Sequence, residues 1–430
     1  MSEQAPSDAR ERVVLVGVEL PGQHGSLAAR LEELALLCDT AGCDTVATVT
    51  QSRQHPDGRT YIGKGKLAEL VDAVAEHEAD VAVFDSELTP AQARNVAQAI
   101  ERRVVDRTQL ILDIFARRAS TRLARDQVEL AQLQYELPRL RRMWTHLSRI
   151  EGGLGMRGPG ETQLEVDRRR ARERIHHLHQ RLAEAERQKE VSNAAREGTF
   201  LVSLVGYTNV GKSTLMNALT AADVFVENRL FATLDATTRR LALDGHEVLL
   251  SDTVGFIRDL PHTLVASFHA TLAEVRDADL LLHVVDIASP ELDEQIAAVH
   301  DVLAEIGAAE TPRLLVCNKV DAVAPEVDAP AIAARCGDGL LLSARTGEGL
   351  DELRARLVAE ARQRHRTLDL EIPYHEGKTT AYVESRARVL VREFGPRGVR
   401  LKVLVSPADA SRLARWVTPA APPADSTVVG

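Results

Sequence analysis

The chain has 430 residues, of which 44% are hydrophobic and 27% charged, and its formal net charge at pH 7 is −10. This length exceeds what a single core supports, so about two to four domains are expected. The chain has no apolar run long enough to span a bilayer, and its polar start, MSEQAPSDARERV, is neither a signal nor a transit peptide. We therefore expect a cytoplasmic protein with no integral membrane association, and the acidic total argues against a chain coated in nucleic acid.

Residues 1–119 are predicted to form an N-terminal α/β domain. Short apolar runs such as RVVLVGVEL and DVAVFDSEL alternate with helical patterns such as KLAELVDAVAEHEA and TPAQARNVAQAIE. Strand and helix in alternation predict a parallel sheet covered by helices.

Residues 120–190 are predicted to form an antiparallel helical hairpin with a glycine-rich tip. Apolar residues first repeat at spacings of three and four, as in a heptad seam: Leu130, Leu133, Leu137, Leu140, Trp144 and Leu147. A second stripe follows the glycines: Leu164, Ala171, Ile175, Leu178, Leu182 and Ala185. Pro138 lies within the first stripe and should kink that helix. The polar segment EVSNAAREG (190–198) is predicted to be a linker.

The predicted tip, EGGLGMRGPGETQ at 151–163, contains the spacing G-x-G-x-x-G of a dinucleotide-binding loop. That interpretation fails because these glycines join two helices and do not follow a strand. Residues 137–174 carry ten arginines against five acidic residues, in a chain that is acidic overall. A solvated helix face is one explanation, but an exposed glycine-rich tip on a cationic stalk favours RNA, read by shape and backbone. The predicted RNA-contacting residues are Arg149, Gly153, Gly155, Arg157 and Gly158.

Residues 199–365 are predicted to form a second α/β domain, which begins with a phosphate-binding motif. GYTNVGKS at 206–213 fits G-x-x-x-x-G-K-[ST], with an apolar run before it and a helical pattern after it. In this context successive backbone N–H groups and the helix N-terminus wrap anionic phosphates. Lys212 should reach the β and γ phosphates, and the Ser213 hydroxyl should bind Mg²⁺.

The segment NKVD at 318–321 predicts guanine as the base. It follows the apolar strand RLLVC, about a hundred residues after the P-loop. The Asp321 carboxylate can accept hydrogen bonds from the ring N1–H and the exocyclic amine of guanine, whereas adenine offers an acceptor at N1. The segment SAR at 343–345 is placed to support the base; its arginine stands where lysine is commoner, which should be harmless.

The segment DTVG at 252–255 predicts the switch that senses the γ-phosphate. Asp252 should hold Mg²⁺ through water, and the Gly255 N–H should contact the phosphate. A threonine in or after FATLDATT should close on Mg²⁺, with Thr233, Thr237 and Thr238 as candidates.

Two further positions bear on hydrolysis. Phe256 stands where many GTPases carry the glutamine that orients the attacking water, so intrinsic hydrolysis should be slow and should need a partner or an ion. Asn209 is either a K⁺ ligand or a structural cap of the loop.

The predicted catalytic residues are Lys212, Thr233 and Gly255. The predicted nucleotide-binding residues are Gly206, Tyr207, Thr208, Asn209, Val210, Gly211, Lys212, Ser213, Thr214, Phe231, Ala232, Thr233, Leu234, Asp235, Asp252, Thr253, Val254, Gly255, Asn318, Lys319, Val320, Asp321, Ser343, Ala344 and Arg345.

The end of the chain completes the predicted architecture. Residues 366–418 carry strand-like runs and a helix, which predict a small C-terminal α+β domain, and residues 419–430 read as a disordered tail. The expected fold is α/β: two parallel-sheet α/β domains joined by an antiparallel helical hairpin, plus the small α+β domain.

These motifs together resemble the HflX family of bacterial GTPases. The resemblance is carried by YIGKGKLAEL, VVDRTQLILDIFARRA, QVELAQLQYELPRL, RGPGETQLE and GYTNVGKSTLMNALT, followed by LFATLD and DTVGF. It covers residues 12 to about 365 and is looser beyond. It implies GTP hydrolysis stimulated by ribosomes, binding to the large (50S) subunit, and splitting of stalled ribosomes with the hairpin tip near the peptidyl-transferase centre.

The resemblance also assigns finer roles. It makes Thr233 the Mg²⁺-binding switch threonine beside Ser213, and it implies ATP binding by the N-terminal domain, for which GKGK at 63–66 lacks the Walker spacing. We expect a monomer that binds GTP or GDP, Mg²⁺ and ribosomal RNA, with K⁺ as a further ion, and no DNA. Two alternatives are a GTPase of ribosome assembly and a signalling switch with a protein effector.

Overall fold

The computed structural model describes residues 10–23, 25–143, 159–194, 199–220, 230–231, 237–243, 246–258, 269–324, 328–337, 339–364, 366–405 and 407–418. Within these ranges the chain has a mixed α/β fold with three sheets. No helix in the described part combines the length and apolar character needed to cross a membrane.

The first sheet confirms the predicted alternation of strands and helices. Its elements are β1 (Glu11–Glu19), α1 (Leu27–Thr40), β2 (Cys43–Ser52), α2 (Lys64–Glu76), β3 (Val81–Phe84), α3 (Pro90–Ile100), β4 (Arg103–Asp106) and α4 (Arg107–Arg118). The strands lie in the order β2-β1-β3-β4 and pair in parallel. Residues 13–18 of β1 are buried on both faces, as expected for a parallel strand between two helical layers. Thr89 and Gln92 form a capping box that fixes the start of α3, with Pro90 in its first turn.

Two long helices follow, α5 (Arg122–Met143) and α6 (Pro159–Ala194). The α5 helix runs through Pro138 as one element, and the predicted kink stays a prediction. The α6 helix begins inside the glycine-rich segment and continues to residue 194. The predicted linker from residue 190 is therefore wrong in its first five residues, because α6 absorbs them.

Part of the predicted seam is present where α5 and α6 pack together, at Leu130 and Leu133 of α5. Leu130, Leu178 and Leu182 form a buried cluster, with Leu133 and Ile175 packed against it. Ion pairs flank the cluster, Glu129 with Arg174 at 2.6 Å and Asp126 with Arg181 at 2.5 Å. The residue nearer the start of α5, Asp126, pairs with the residue nearer the end of α6, Arg181, so the two helices run antiparallel here. The residues that would connect them, 144–158, lie outside the described ranges.

The second half of α5 is anchored to the first sheet by Asp106, which lies at the end of β4 and is 3% exposed. Its carboxylate accepts hydrogen bonds from the Tyr135 hydroxyl at 2.7 Å and from Arg139 at 2.9 Å. It also accepts the backbone N–H groups of Leu88 at 3.0 Å and Gln109 at 2.9 Å. The four hydrogen bonds satisfy this buried carboxylate and fix the position of α5 relative to the first sheet.

The second sheet carries the nucleotide motifs. Its elements are β5 (Phe200–Val205), α7 (Lys212–Thr220), β6 (Thr237–Leu243), β7 (His246–Asp252), α8 (His269–Arg276), β8 (Leu280–Asp286), α9 (Leu292–Glu305), β9 (Arg313–Asn318), α10 (Ala329–Arg335), β10 (Leu340–Leu341) and α11 (Leu350–Arg364). The order is β10-β9-β8-β5-β7-β6. The prediction of a purely parallel sheet is wrong at one edge, where β6 pairs antiparallel with β7. The pair is antiparallel because only residues 244 and 245 separate the two strands, which is too short for a crossover connection.

One apolar core extends across the first two sheets. It joins β1, α1, α4 and α5 to β5, α7 and β8, and contains side chains such as Leu34, Phe115, Val128, Leu204 and Leu282. A separate cluster on the other face of the first sheet packs β1 and β3 against α2 and α3. The contact between the first and second sheets is therefore core packing, with polar bonds at its edge.

The third sheet is small and antiparallel. It contains β11 (Arg366–Pro373), α12 (Gly377–Arg386), β12 (Arg388–Phe394), β13 (Gly398–Val405) and α13 (Pro407–Leu413), in the strand order β11-β13-β12. Its predicted strands and final helix are confirmed, and α12 is an element that the sequence reasoning missed. One face of the sheet is covered by α12 and α13.

Candidate functional site

The P-loop joins β5 to α7 and has the backbone that its sequence requires. Gly206 and Gly211 have φ of 152° and 96°, and a Cβ on either would lie 2.2 or 2.3 Å from a neighbouring atom. Lys212 is 6% exposed, and its Nζ donates to the carbonyl oxygens of Gly206 at 3.0 Å and Tyr207 at 2.8 Å. Burial lowers the pKa of Lys212 to about 8, against the opposing effect of Asp252. An ammonium has three protons, so a phosphate oxygen would accept the third.

Asn318 ties the three predicted nucleotide loops together. It is 2% exposed; its Nδ2 donates to the Val210 carbonyl at 2.7 Å, and its Oδ1 accepts the Ala344 N–H at 2.9 Å. The P-loop, the NKVD segment and the SAR segment therefore meet on one amide. The Cβ clash at Gly211 is with this same amide, which explains the glycine there.

The Asp321 carboxylate is held by two residues of the loop after β10. Ser343 Oγ donates to Asp321 Oδ1 at 2.6 Å, and Arg345 lies 2.5 Å from Oδ2. The hydrogen bond from Ser343, followed by the charge of Arg345, holds the pKa of Asp321 below its usual value. A carboxylate kept ionised and fixed in this way can accept the two donors of a guanine edge. Lys319 has φ of 66° and pairs with Asp286 at 2.8 Å.

The DTVG segment lies directly against the P-loop. Thr208 N donates to Phe256 O at 2.7 Å, and Phe256 N donates to Gly206 O at 3.1 Å. A Cβ on Gly255 would lie 3.0 Å from Lys212 Nζ, so a larger residue would press on the lysine. The Phe256 side chain is 1% exposed and points into the core.

Two side-chain oxygens that could bind a metal ion lie close together where α7 begins and β7 ends. Ser213 Oγ donates to Asp252 Oδ2 at 2.7 Å, and Asp252 is 3% exposed. A hydroxyl beside a carboxylate is a donor set that suits Mg²⁺. Thr253 is fully buried and donates to the Leu204 carbonyl at 2.6 Å, which fixes the backbone after Asp252.

A buried polar network joins the first sheet to the P-loop and to the segment after DTVG. The Tyr207 hydroxyl donates to Glu33 of α1 and accepts the Arg258 N–H at 2.7 Å. Arg107 of α4 donates to Glu33 and, at 3.1 Å, to the Arg258 carbonyl. It also lies 3.4 Å from Asp85. We call Glu33, Asp85, Arg107, Tyr207 and Arg258 the interface network.

The Arg258 guanidinium lies between residues of the first and second α/β regions. It pairs with Glu291, the residue just before α9, at 3.0 Å. It also lies against Gly25, where a Cβ would fall 1.7 Å from Arg258 Nη1 and where φ is 74°. The left-handed backbone favours glycine at position 25, and a side chain there would also displace the Arg258 guanidinium.

The start of the predicted switch loop packs on the same surface. The Phe231 ring meets that of Phe115 edge to face, with ring centroids 4.6 Å apart. The backbone N–H of Leu230 donates to Thr40 Oγ1 at 3.3 Å. The helices α1 and α4 therefore contact residues next to both predicted switches.

The structure brings most predicted nucleotide-binding residues to the end of the second sheet where β5, β7 and β9 finish. Ala232, Thr233, Leu234 and Asp235 lie outside the described residues, as do the predicted RNA contacts Arg149, Gly153, Gly155, Arg157 and Gly158. The other two candidate threonines, Thr237 and Thr238, lie on β6, where Thr238 Oγ1 donates to Glu274 at 3.5 Å.

Sequence reasoning missed the interface network. A tyrosine second in the P-loop and a charged residue directly after a buried strand, as in VVDR, were its only local signals. The pairing of Tyr207 with Glu33 joins positions 174 residues apart, which no local pattern indicates.

Comparison with known proteins gives three successive family matches. Residues 28–116 match the family described as "GTP-binding GTPase N-terminal". Residues 118–196 match "GTP-binding GTPase Middle Region", and residues 201–319 match "50S ribosome-binding GTPase".

Curated relatives named GTPase HflX match most of the chain. The protein from Caldanaerobacter subterraneus subsp. tengcongensis is 43% identical over 411 residues, which is 95% of this chain and 94% of the relative. The Escherichia coli protein is 46% identical over 377 residues, 86% of this chain and 88% of the relative. The Flavobacterium psychrophilum protein is 50% identical over 313 residues, 73% and 76% of the two chains.

Proposed function

This chain belongs to the HflX family of GTPases, and from that premise we propose that it uses GTP to bind the large ribosomal subunit and to split stalled ribosomes. The observation that carries the nucleotide part is the meeting of three motif loops on Asn318, with the Asp321 carboxylate fixed beside it. The ribosomal part is supported by the family and by the cationic stalk. The proposal includes the domain division predicted from the sequence, with the helical hairpin extended to residue 194.

Guanine is recognised by Asp321. Its carboxylate takes the N1–H and the exocyclic amine of the base, while Ser343 keeps it in position. Adenine would leave the carboxylate facing a lone pair, so ATP is rejected at this site.

Mg²⁺ would be held by Ser213 and Thr233, with Asp252 acting through water. The hydrogen bond between Ser213 and Asp252 supports this, because it brings both side-chain oxygens together at the start of α7. When bound, the ion would supply positive charge that offsets the negative charge of the phosphates.

Intrinsic hydrolysis is slow, and a partner or an ion completes the site. Phe256 is buried and cannot orient water. Asn209 has φ of 61°, a conformation that asparagine tolerates, which is by itself a structural reason for this residue. It also lines a cavity of about 220 Å³ whose acidic residues Glu33, Asp286 and Glu291 are already paired with Arg107, Lys319 and Arg258, so the proposal of K⁺ rests on Asn209 alone.

The hairpin tip contacts ribosomal RNA through Arg149, Gly153, Gly155, Arg157 and Gly158. The described part of α6 supports a cationic stalk, since the side chains of Arg169 and Arg170 are 71% and 75% exposed. The nearest carboxylates of these two arginines lie 3.9 Å away, so both guanidinium groups remain open to phosphate.

The first experiment measures GTP turnover with and without purified large subunits, together with light scattering of intact ribosomes. Stimulation with loss of scattering in GTP, or in a non-hydrolysable analogue, is the expected result. Stimulation without splitting would favour a ribosome-assembly GTPase. The absence of any effect from mature particles would contradict the ribosomal proposal and favour a switch with a protein effector.

The role of the tip is tested by Arg157→Glu. We expect weaker binding to large subunits and unchanged GTP affinity. The matched control is Arg187→Glu, the same charge reversal near the C-terminal end of α6, where the arginine is exposed. Equal loss of ribosome binding in both variants would mean that total charge matters and the tip does not.

The role of K⁺ is tested by replacing it with Na⁺ in the turnover assay. Slower hydrolysis in Na⁺ is expected for the wild type. Equal rates in the two salts would remove the ion from the mechanism and leave Asn209 with its structural role.

A further inference from the structure

The small C-terminal sheet leaves two aromatic rings exposed at one end. Tyr374 directly follows β11 and is 57% exposed, and Phe394 ends β12 and is 71% exposed. Six large apolar side chains are exposed among the described residues, and five of them belong to this unit: Tyr374, Leu390, Val391, Phe394 and Val417. The uncovered apolar surface is therefore concentrated here.

Phe394 continues the face of the sheet that helices cover elsewhere, and Tyr374 lies beside it. Phe394 is paired with Val399, and Val399 with Ile372, so these three side chains share one face. Tyr374 lies in the turn after β11, and its hydroxyl reaches the carbonyl of Gly395, the residue next to Phe394. Ile372 and Val399 are 0% and 7% exposed, under α12 and α13. The two aromatic positions extend past that cover.

The Tyr374 ring is held beside a basic turn. Its hydroxyl donates to the carbonyl of Gly395, the residue that follows Phe394, at 2.8 Å. The turn GPRG at 395–398 then presents Arg397, which is exposed. Within the described ranges no carboxylate forms an ion pair with Arg397.

We propose that Tyr374, Phe394 and Arg397 form a second RNA contact that stacks unpaired bases. An aromatic ring offers a flat face to any base, and stacking of this kind does not depend on sequence. A guanidinium can pair with the phosphate or stack on a neighbouring base. Two exposed rings beside a guanidinium offer both a stacking face and a ligand for phosphate, and this combination favours RNA. This contact is separate from GTP binding and from the hairpin tip.

The test uses the full-length chain and a fluorescein-labelled single-stranded RNA of roughly 12 nucleotides, a length typical of stacking sites. Anisotropy gives the dissociation constant at low salt. Phe394→Leu keeps an apolar side chain but removes the ring, and we expect it to weaken binding about tenfold. Phe394→Tyr keeps the ring and should stay within about twofold of the wild type. Leu390→Ala, an exposed aliphatic on the same strand, is the control and should have no effect.

A second measurement reads stacking directly. RNA containing 2-aminopurine should lose fluorescence on binding to the wild type and to Phe394→Tyr, and should lose much less with Phe394→Leu. The proposal is overturned if the leucine and tyrosine variants behave alike, which would point to an apolar protein-docking surface. It is equally overturned if the wild type does not bind single-stranded RNA.

Discussion

Replacing Arg107 by methionine should destabilise the protein strongly although the residue lies outside the predicted nucleotide motifs. Arg107 is 6% exposed on its side chain and contacts Glu33, Asp85 and the Arg258 carbonyl. Methionine keeps the volume of the stem but leaves two buried carboxylates short of a partner. Breaking one side of a buried ion pair costs about 3–5 kcal/mol.

The lower end of that range is expected here, because each carboxylate keeps one partner. Asp85 still pairs with Arg30 at 3.0 Å, and Glu33 still accepts from Tyr207. We therefore expect a loss of about 3 kcal/mol in the free energy of unfolding. The matched control is Arg103→Met, whose pair with Glu11 is 59% and 48% exposed, and this variant should lose no more than about 1 kcal/mol.

Urea unfolding followed by far-ultraviolet circular dichroism measures both variants. Equal midpoints for Arg107→Met and Arg103→Met would refute the reasoning, because burial would then make no difference. A double-mutant cycle with Tyr207→Phe adds a second check. A coupling energy near zero between Arg107 and Tyr207 would mean that the interface network is not one unit.

Three further predictions concern single sites. Burial lowers the pKa of Lys212 to about 8, so the free protein loses this positive charge as the pH rises through 8. Above that pH GDP must bind with uptake of a proton, and the GDP affinity should fall about tenfold between pH 7 and pH 9. Titration calorimetry of the wild type and of Lys212→Arg, which stays charged, checks this, and parallel pH profiles would contradict it. Tyr135→Phe removes a buried bond to Asp106 and should cost about 1–2 kcal/mol in urea unfolding; an unchanged midpoint would show that α5 is anchored by other contacts. Phe256→Gln should lower stability by about 3 kcal/mol and leave intrinsic GTP turnover low, whereas a faster rate would mean that this side chain can leave the core.

The sequence predicted those strands and helices whose start or burial depends on neighbouring residues in the chain. The apolar runs VVLVGV in β1 and VAVF in β3 form strand segments buried on both faces, and Thr89 with Gln92 marks the start of α3. The helix α12 was missed because GKTTAYVESR carries only Tyr382 and Val383 as large apolar residues and has no side-chain cap. It folds as a helix because Val383 packs into the core of the third sheet, a contact that the sequence alone does not reveal.

The candidate site divides in the same way. The P-loop and NKVD motifs specify their own backbone, so their residues could be predicted one by one. Asn318 illustrates the limit, since the motif names the residue but not its bonds to Val210 and Ala344. The interface network depends on how two sheets pack, and long-range packing leaves no periodic signal in the chain.

The long α6 helix constrains how this protein can change in length. Its 36 residues correspond to about 54 Å at 1.5 Å per residue. Removing one residue would rotate everything beyond it by about 100° and would turn the buried leucines away from α5. Removing seven residues from each helix would keep the seam and shorten the reach by about 10 Å. Relatives with a shorter or longer helix pair should therefore differ by about seven residues, or a multiple of seven, in both helices at once.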